Sequence, residues 1–264
     1  MKSYLSNYYL KKNRSSQPER EKYRQRSTVK FLLTFCTLTA LIAPSWQAKA
    51  VAEESGFKVT FNPPATGKPQ TTTGGASRSI GQCIVEAENS ELPLMPLLPA
   101  EARSLTVASH PTVLAYLPKT SANKVFFSWQ DENNHHYQTI LPIENQAGIV
   151  SLTLPENAPP LEVGKNYQWA IALMCNGRLQ PDSPMIQGQI ERVAMTSDLS
   201  DRLKDANTLK TAAIYGEAGI WYETVATLAE LKTTQPNNSD LKSNWQELLT
   251  SVGLEEVAQT PLVN

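Results

Sequence analysis

Between Leu105 and Val193 the chain runs in short apolar–polar alternations cut by turn residues, and this constrains the fold more than any other feature. Alternation of period two sends successive side chains to opposite faces of a strand. The runs are Thr112–Tyr116, Lys124–Gln130, His136–Ile143, Gly148–Leu154, Tyr167–Cys175 and Met185–Val193. Val125, Phe127 and Trp129 fall on one face of the second. Val150, Leu152 and Leu154 do so in the fourth, and Trp169, Ile171, Leu173 and Cys175 in the fifth. Asp131-Glu132-Asn133-Asn134 is a turn cluster, so the second and third runs read as a hairpin. Six or seven strands at this spacing predict an antiparallel β-sandwich over residues 83–195.

The sequence Leu161-Glu162-Val163-Gly164-Lys165-Asn166-Tyr167 leads into the fifth run. It resembles the tyrosine corner of immunoglobulin-like and fibronectin-III-like domains. The resemblance implies that the Tyr167 hydroxyl turns back onto upstream backbone. The other reading is a tyrosine that only fills core.

After Thr196 the period becomes helical. Asp198–Asp205, Leu209–Ala218, Trp221–Lys232 and Leu241–Val252 are the expected helices, with Gly219 and Gly253 as stops. Each is too short to be stable alone and must pack on a neighbour or on the sheet. Gly219, Trp221, Leu228, Leu231 and Pro236 resemble the second half of a tetratricopeptide repeat, from which Thr224 and Lys232 depart. No second repeat follows, so the reading is one helical hairpin within a small helical C-terminal region, residues 196–264. The expected fold class is α+β: an immunoglobulin/fibronectin-III-like antiparallel sandwich followed by a small helical hairpin bundle.

Residues 1–50 stand apart. A basic stretch to Lys30, an apolar run Phe31–Ala43 and the triplet Ala48-Lys49-Ala50 are the three parts of a cleavable export signal. The run of about 13 residues is shorter than the ~20 a spanning helix needs. Cleavage after Ala50 is expected, leaving a periplasmic or extracellular protein that does not dock on membrane. The alternative is an inner-membrane anchor through an uncleaved signal. Residues 51–82, rich in Pro, Gly and Thr, read as a flexible segment. Residues 1–50 hold ten of the chain's 24 basic residues and two of its 25 acidic ones. The remainder carries 14 basic and 23 acidic, a formal −9, which argues against a nucleic-acid partner. Cys36 leaves with the signal. Cys83 and Cys175 then have one possible pairing in a compartment that permits it.

The usual catalytic and cofactor signatures are missing. His110, His135 and His136 are the only histidines and no Cys-x-x-Cys exists, so no zinc site is expected. There is no G-x-S-x-G elbow. Gly74-Gly75-Ala76-Ser77-Arg78 lacks the lysine and spacing of a phosphate loop, and residues 131–134 lack the EF-hand pattern. No catalytic residue, metal or cofactor is assigned.

Thr73-Gly74-Gly75-Ala76-Ser77-Arg78, Leu161-Glu162-Val163-Gly164-Lys165, Gly219-Ile220-Trp221-Tyr222 and Trp245-Gln246-Glu247-Leu248-Leu249 together resemble an uncharacterised cyanobacterial family, domain of unknown function 928. The resemblance covers about residues 57–262 and implies no known activity, cofactor or catalytic residue. Two functions remain: a non-catalytic protein-binding or adaptor module, or a cell-envelope hydrolase whose acidic residues the sequence does not locate. Under the first, Trp221, Tyr222 and Trp245 are a candidate partner surface, because adjacent residues on a helix project about 100° apart. The competing placement buries all three. Their exposure decides between the two.

Overall fold

The computed structural model describes residues 57–64, 83–85, 92–100 and 103–263. All belong to one compact unit, Ala52–Asn264. The expected signal (1–50, with Cys36) and the glycine-rich stretch 74–78 lie outside the described residues.

Among the described residues, eight strands precede four helices. The strands are β1 (Met95–Pro96), β2 (Leu105–Thr106), β3 (Thr112–Leu117), β4 (Lys124–Asp131), β5 (His136–Pro142), β6 (Gly148–Thr153), β7 (Asn166–Leu173) and β8 (Met185–Arg192). The helices are α1 (Ser197–Lys204), α2 (Thr208–Glu217), α3 (Trp221–Thr234) and α4 (Ser239–Ser251). The strands form two sheets, ordered β1-β3-β6 and β2-β8-β7-β4-β5. Neighbours pair antiparallel, β4–β5 as the expected hairpin, with one departure from an all-antiparallel sandwich. β2 runs parallel to β8, with Leu105 opposite Glu191. Two residues carry no periodicity, so the sequence offered no sign of it.

The strand faces read from alternation are the ones buried. Val113, Ile149 and Leu152 from the first sheet share one apolar core with Phe127, Trp169 and Ile171 from the second. β3 is buried on both faces from Val113 onward, because α3 packs against it as well as against β2 of the other sheet. Trp221, Leu228, Trp245 and Leu249 belong to the same core. This corrects the separation of a sandwich (83–195) from a helical region (196–264). Helices of this length need a partner face, and the sheets supply it.

The flexible segment expected at 51–82 needs correction where it is described. Val59 is 1% exposed, and its N–H donates to Asn244 Oδ1 at 2.7 Å. Phe61 meets Trp221 edge-on at 5.0 Å, and the Asn62 N–H donates to the Gly216 carbonyl at 2.9 Å. A Cβ on Gly216 would stand 2.1 Å from the Thr60 carbonyl oxygen, so only glycine lets this segment approach α2. Apolar residues at 59 and 61 find a slot between the helices that the neighbouring prolines concealed.

Cys83 and Cys175 form a disulfide with Cα atoms 5.4 Å apart and a sequence separation of 92. It joins the segment beside Thr120, whose hydroxyl donates to the Cys83 carbonyl at 2.7 Å, to the end of β7.

Candidate functional site

Trp221, Tyr222 and Trp245 are 0, 2 and 0% exposed. The proposed partner surface on the Trp221–Tyr222 region and α4 therefore does not exist, and this expectation is corrected. The physical reason lies in the first turn of α3. Trp221 Nε1 donates to the Leu97 carbonyl at 2.9 Å. The Tyr222 hydroxyl accepts from Trp169 Nε1 at 2.7 Å and donates to the Gln189 carbonyl at 3.0 Å. Glu223 Oε1 accepts from the Thr106 hydroxyl at 2.5 Å and from the N–H groups of Ala108 and Val107 at 3.0 and 3.2 Å. Three consecutive residues tie α3 to three separate segments of the sandwich. Trp245 lies under Lys232, whose Nζ is 5.6 Å from the ring centre.

Glu223 went unnoticed in the sequence, where it looks like any acid in a helix's first turn. Burial pushes its carboxyl above the ordinary range, and the donors from Thr106, Ala108 and Val107 offset only part of that. Its Oε2 is buried without a hydrogen-bond partner. A group whose folded value is raised contributes its stability at low pH and loses it as pH rises from about 4.5 through the folded value. Glu223→Gln keeps an acceptor for the three donors and removes the charge. The stability gap between this variant and the parent, from urea unfolding at pH 4 and pH 7.5, should shift in the variant's favour at the higher pH. Glu223→Ala strands the donors and should cost about 2 kcal/mol or more.

Tyr167 closes its corner: the hydroxyl accepts from the Glu162 N–H at 2.8 Å. It also lines a cleft of about 310 Å³ with Trp129, Asp131, His135, Tyr137 and Pro160. Two carboxylates face this cleft. Lys165 Nζ is 2.7 Å from Glu162 Oε1 and 3.9 Å from Asp131 Oδ2. A glycosidase-type pair needs one carboxyl held protonated as general acid. Asp131 is the opposite case. Burial pulls its carboxyl upward, but the His135 N–H and ring and the Asn133 N–H outweigh it and leave it below the ordinary range. Asp131 Oδ1 takes the N–H groups of Asn133 and His135, both at 2.9 Å, and Oδ2 faces His135 Nδ1 at 3.1 Å. Those oxygens are committed to the β4–β5 turn. Among the described residues no three His, Cys, Asp or Glu side chains converge as a metal site.

The sheet edges differ sharply. β1 is two residues long and ends in Pro96. β6 is covered by the C-terminal segment, with Ile149 N–H on the Pro261 carbonyl and Val263 N–H on the Ile149 carbonyl, both at 2.8 Å. On the β8 side lie two-residue β2 and the Tyr222 hydroxyl on Gln189. β5 is different: seven residues long, without Asp, Glu, Lys or Arg, and paired among the described residues on one side only, with β4. The bonds Asp131 N–H to His135 C=O and Ile143 N–H to Asn123 C=O set the phase of the β4–β5 ladder. Bonded and non-bonded pairs alternate, so Tyr137, Thr139 and Leu141 face β4. His136, Gln138 and Ile140 turn their N–H and C=O outward, and no described residue takes them. Tyr137 and Leu141 are only partly buried against the core, so the rim of the core opens beside this edge. The sequence signal available was the absence of charge in the third alternating run.

The family model described as Domain of Unknown Function (DUF928) matches residues 73–262. No curated protein matches the chain. Among solved structures, the solution structure of the fn3 domain of human collagen alpha-1(XX) chain is similar at 14% identity, over 43% of this chain and 91% of that one, with a TM-score of 0.26.

Proposed function

This chain belongs to the Domain of Unknown Function (DUF928) family, and from that premise we propose that it is an exported, non-catalytic protein-binding module. Its body is an immunoglobulin/fibronectin-III-like sandwich, a reading that the Tyr167 corner supports. Its partner adds an extended strand along β5. One observation carries the proposal: β5 is the long sheet edge left open among the described residues, while the other edges are short or covered. An open edge is a template for another chain, and strand addition takes its affinity from main-chain hydrogen bonds and its selectivity from alternate side chains. The uncharged edge and the half-buried Tyr137 and Leu141 suit an uncharged partner strand with apolar residues at every second position. Export rests on the signal-like residues 1–50. The Cys83–Cys175 bridge is compatible with it, and no described helix is long and apolar enough to cross a membrane.

Gln138→Pro tests the edge. It removes an outward N–H and leaves the β4 ladder intact, a position where proline is tolerated. A photo-crosslinking residue at Ile140 of the exported protein, in the source cells, should trap an extended segment of one other protein. Gln138→Pro should cut that product about tenfold or more, as expected for main-chain bonds worth at least ~1.4 kcal/mol in total, with its melting temperature little changed. Crosslinks indifferent to Gln138→Pro would sink the proposal. Crosslinks only between copies of this chain would replace it with self-association.

A further inference from the structure

The last turn of α3, the first turns of α4 and residues 258–262 enclose a second cleft, of about 450 Å³. Its charged lining residues are Lys232 and Lys242, and no described carboxylate lines it. That runs against the character of the chain, which carries a formal −9 after residue 50. Several other cations here are ion-paired: Lys58 with Glu247 at 2.8 Å, Lys165 with Glu162 at 2.7 Å, Arg202 with Glu217 at 2.5 Å and Lys204 with Asp201 at 2.7 Å. Lys119, Lys124, Arg178, Arg192 and Lys210 have no described carboxylate within 4.0 Å, but none of them lines this cleft. Lys232 and Lys242 have no described carboxylate within 4.0 Å.

Two local features oppose this arrangement unless something negative joins it. Burial, and after it the charge of Lys242, holds the Lys232 amine below its ordinary value. The Trp245 ring beneath the half-buried Lys232 ammonium offsets only part of that cost. Lys242 is the fourth residue of α4, at the helix end whose dipole disfavours a cation. Around the two ammonium groups, Asn238 spends its Oδ1 capping α4 at the N–H groups of Asp240 and Leu241, 3.0 and 3.2 Å away. The amides of Gln246 and Gln259 make no hydrogen bond to a described side chain or backbone group and stand at the cleft wall. Pro261 and Leu262 supply an apolar flank.

We propose that this cleft binds a small organic anion, a carboxylate or a phosphate ester about the size of a hexose, with the Lys232 and Lys242 ammonium groups on the oxyanion and Gln246 and Gln259 on its hydroxyls. The volume lies in the range of about 300–1,000 Å³ common for small-molecule sites and exceeds the needs of a bare inorganic ion. The site is independent of the β5 edge, and either can fail without the other.

Calorimetric titration of the exported protein with glucuronate, glucose 6-phosphate and glucose tests it. Binding of one or both anions without binding of glucose is the expected result, and which anion binds assigns the oxyanion. Lys232→Gln and Lys242→Gln should each weaken that binding about tenfold, and added salt should weaken it further. Lys242 is exposed, so its variant reads the site even if Lys232→Gln disturbs packing on Trp245. Binding of neither anion, equal binding of glucose, or unchanged affinity in Lys242→Gln overturns the proposal.

Discussion

Trp221→Ala should destabilise the protein by about 3–5 kcal/mol, the span for deleting a large buried aromatic. It should sit at the upper end, because the loss has three parts. The indole is fully buried at the start of α3, so its removal opens a cavity where both sheets meet the helices. Phe61 loses the ring it packs against edge-on, which loosens residues 57–64. The Leu97 carbonyl, bonded to Trp221 Nε1, is left without its donor in a dry site, a further ~1–3 kcal/mol unless water enters. Against a typical total stability of about 5–15 kcal/mol, the variant should unfold at markedly lower urea concentration than the parent. It should also show early amide exchange in residues 57–64. A midpoint within the error of the parent's would mean that Trp221 is a replaceable filler and that α3 is held by its other contacts.

Removing the Cys83–Cys175 bridge should cost about 4 kcal/mol. Closing a loop across 92 positions takes that much conformational entropy from the unfolded chain in the chain-entropy model. Both cysteines are buried in the core, so Cys83→Ala/Cys175→Ala is the suitable double variant. Its folded contacts near Thr120 and at the end of β7 should persist, since the effect acts on the unfolded state. Reductant should lower the urea midpoint of the parent by the same amount and leave the double variant unmoved. If reductant shifted both equally, the stabilisation would not come from the bridge.

Trp169, Tyr222 and Gln189 form a buried relay from β7 through α3 to β8, and Glu223 adds a third tie at residues 106–108. The residues singled out for exposure are thus the ones that make sandwich and helices a single body. An aromatic pair at the start of a helix has the same sequence appearance whether it greets a partner or a sheet. The candidate binding edge was equally hidden. Strand periodicity in His136–Ile143 says which side chains share a face. It does not say whether the strand has one neighbour or two.

The sequence by itself determined the elements. Six of the eight strands and all four helices lie within about two residues of where period and stop signals put them, because alternation, helical spacing and glycine stops are local. It also offered Cys175 as the partner of Cys83, on the expectation that Cys36 leaves with a signal, and showed that Tyr167 stood where a corner tyrosine would. Tertiary structure alone decided which elements meet. It placed two-residue β1 and β2, too short to carry a period, and turned β2 parallel to β8. It drew residues 57–64 out of a proline-rich stretch and into a slot that Gly216 leaves open. It buried Trp221, Tyr222 and Trp245, left the β5 edge without a second neighbour among the described residues, and brought Lys232 and Lys242 to one cleft. Each of these depends on what lies across a contact between residues distant in sequence, and the spacing of side chains along a single segment carries no record of that.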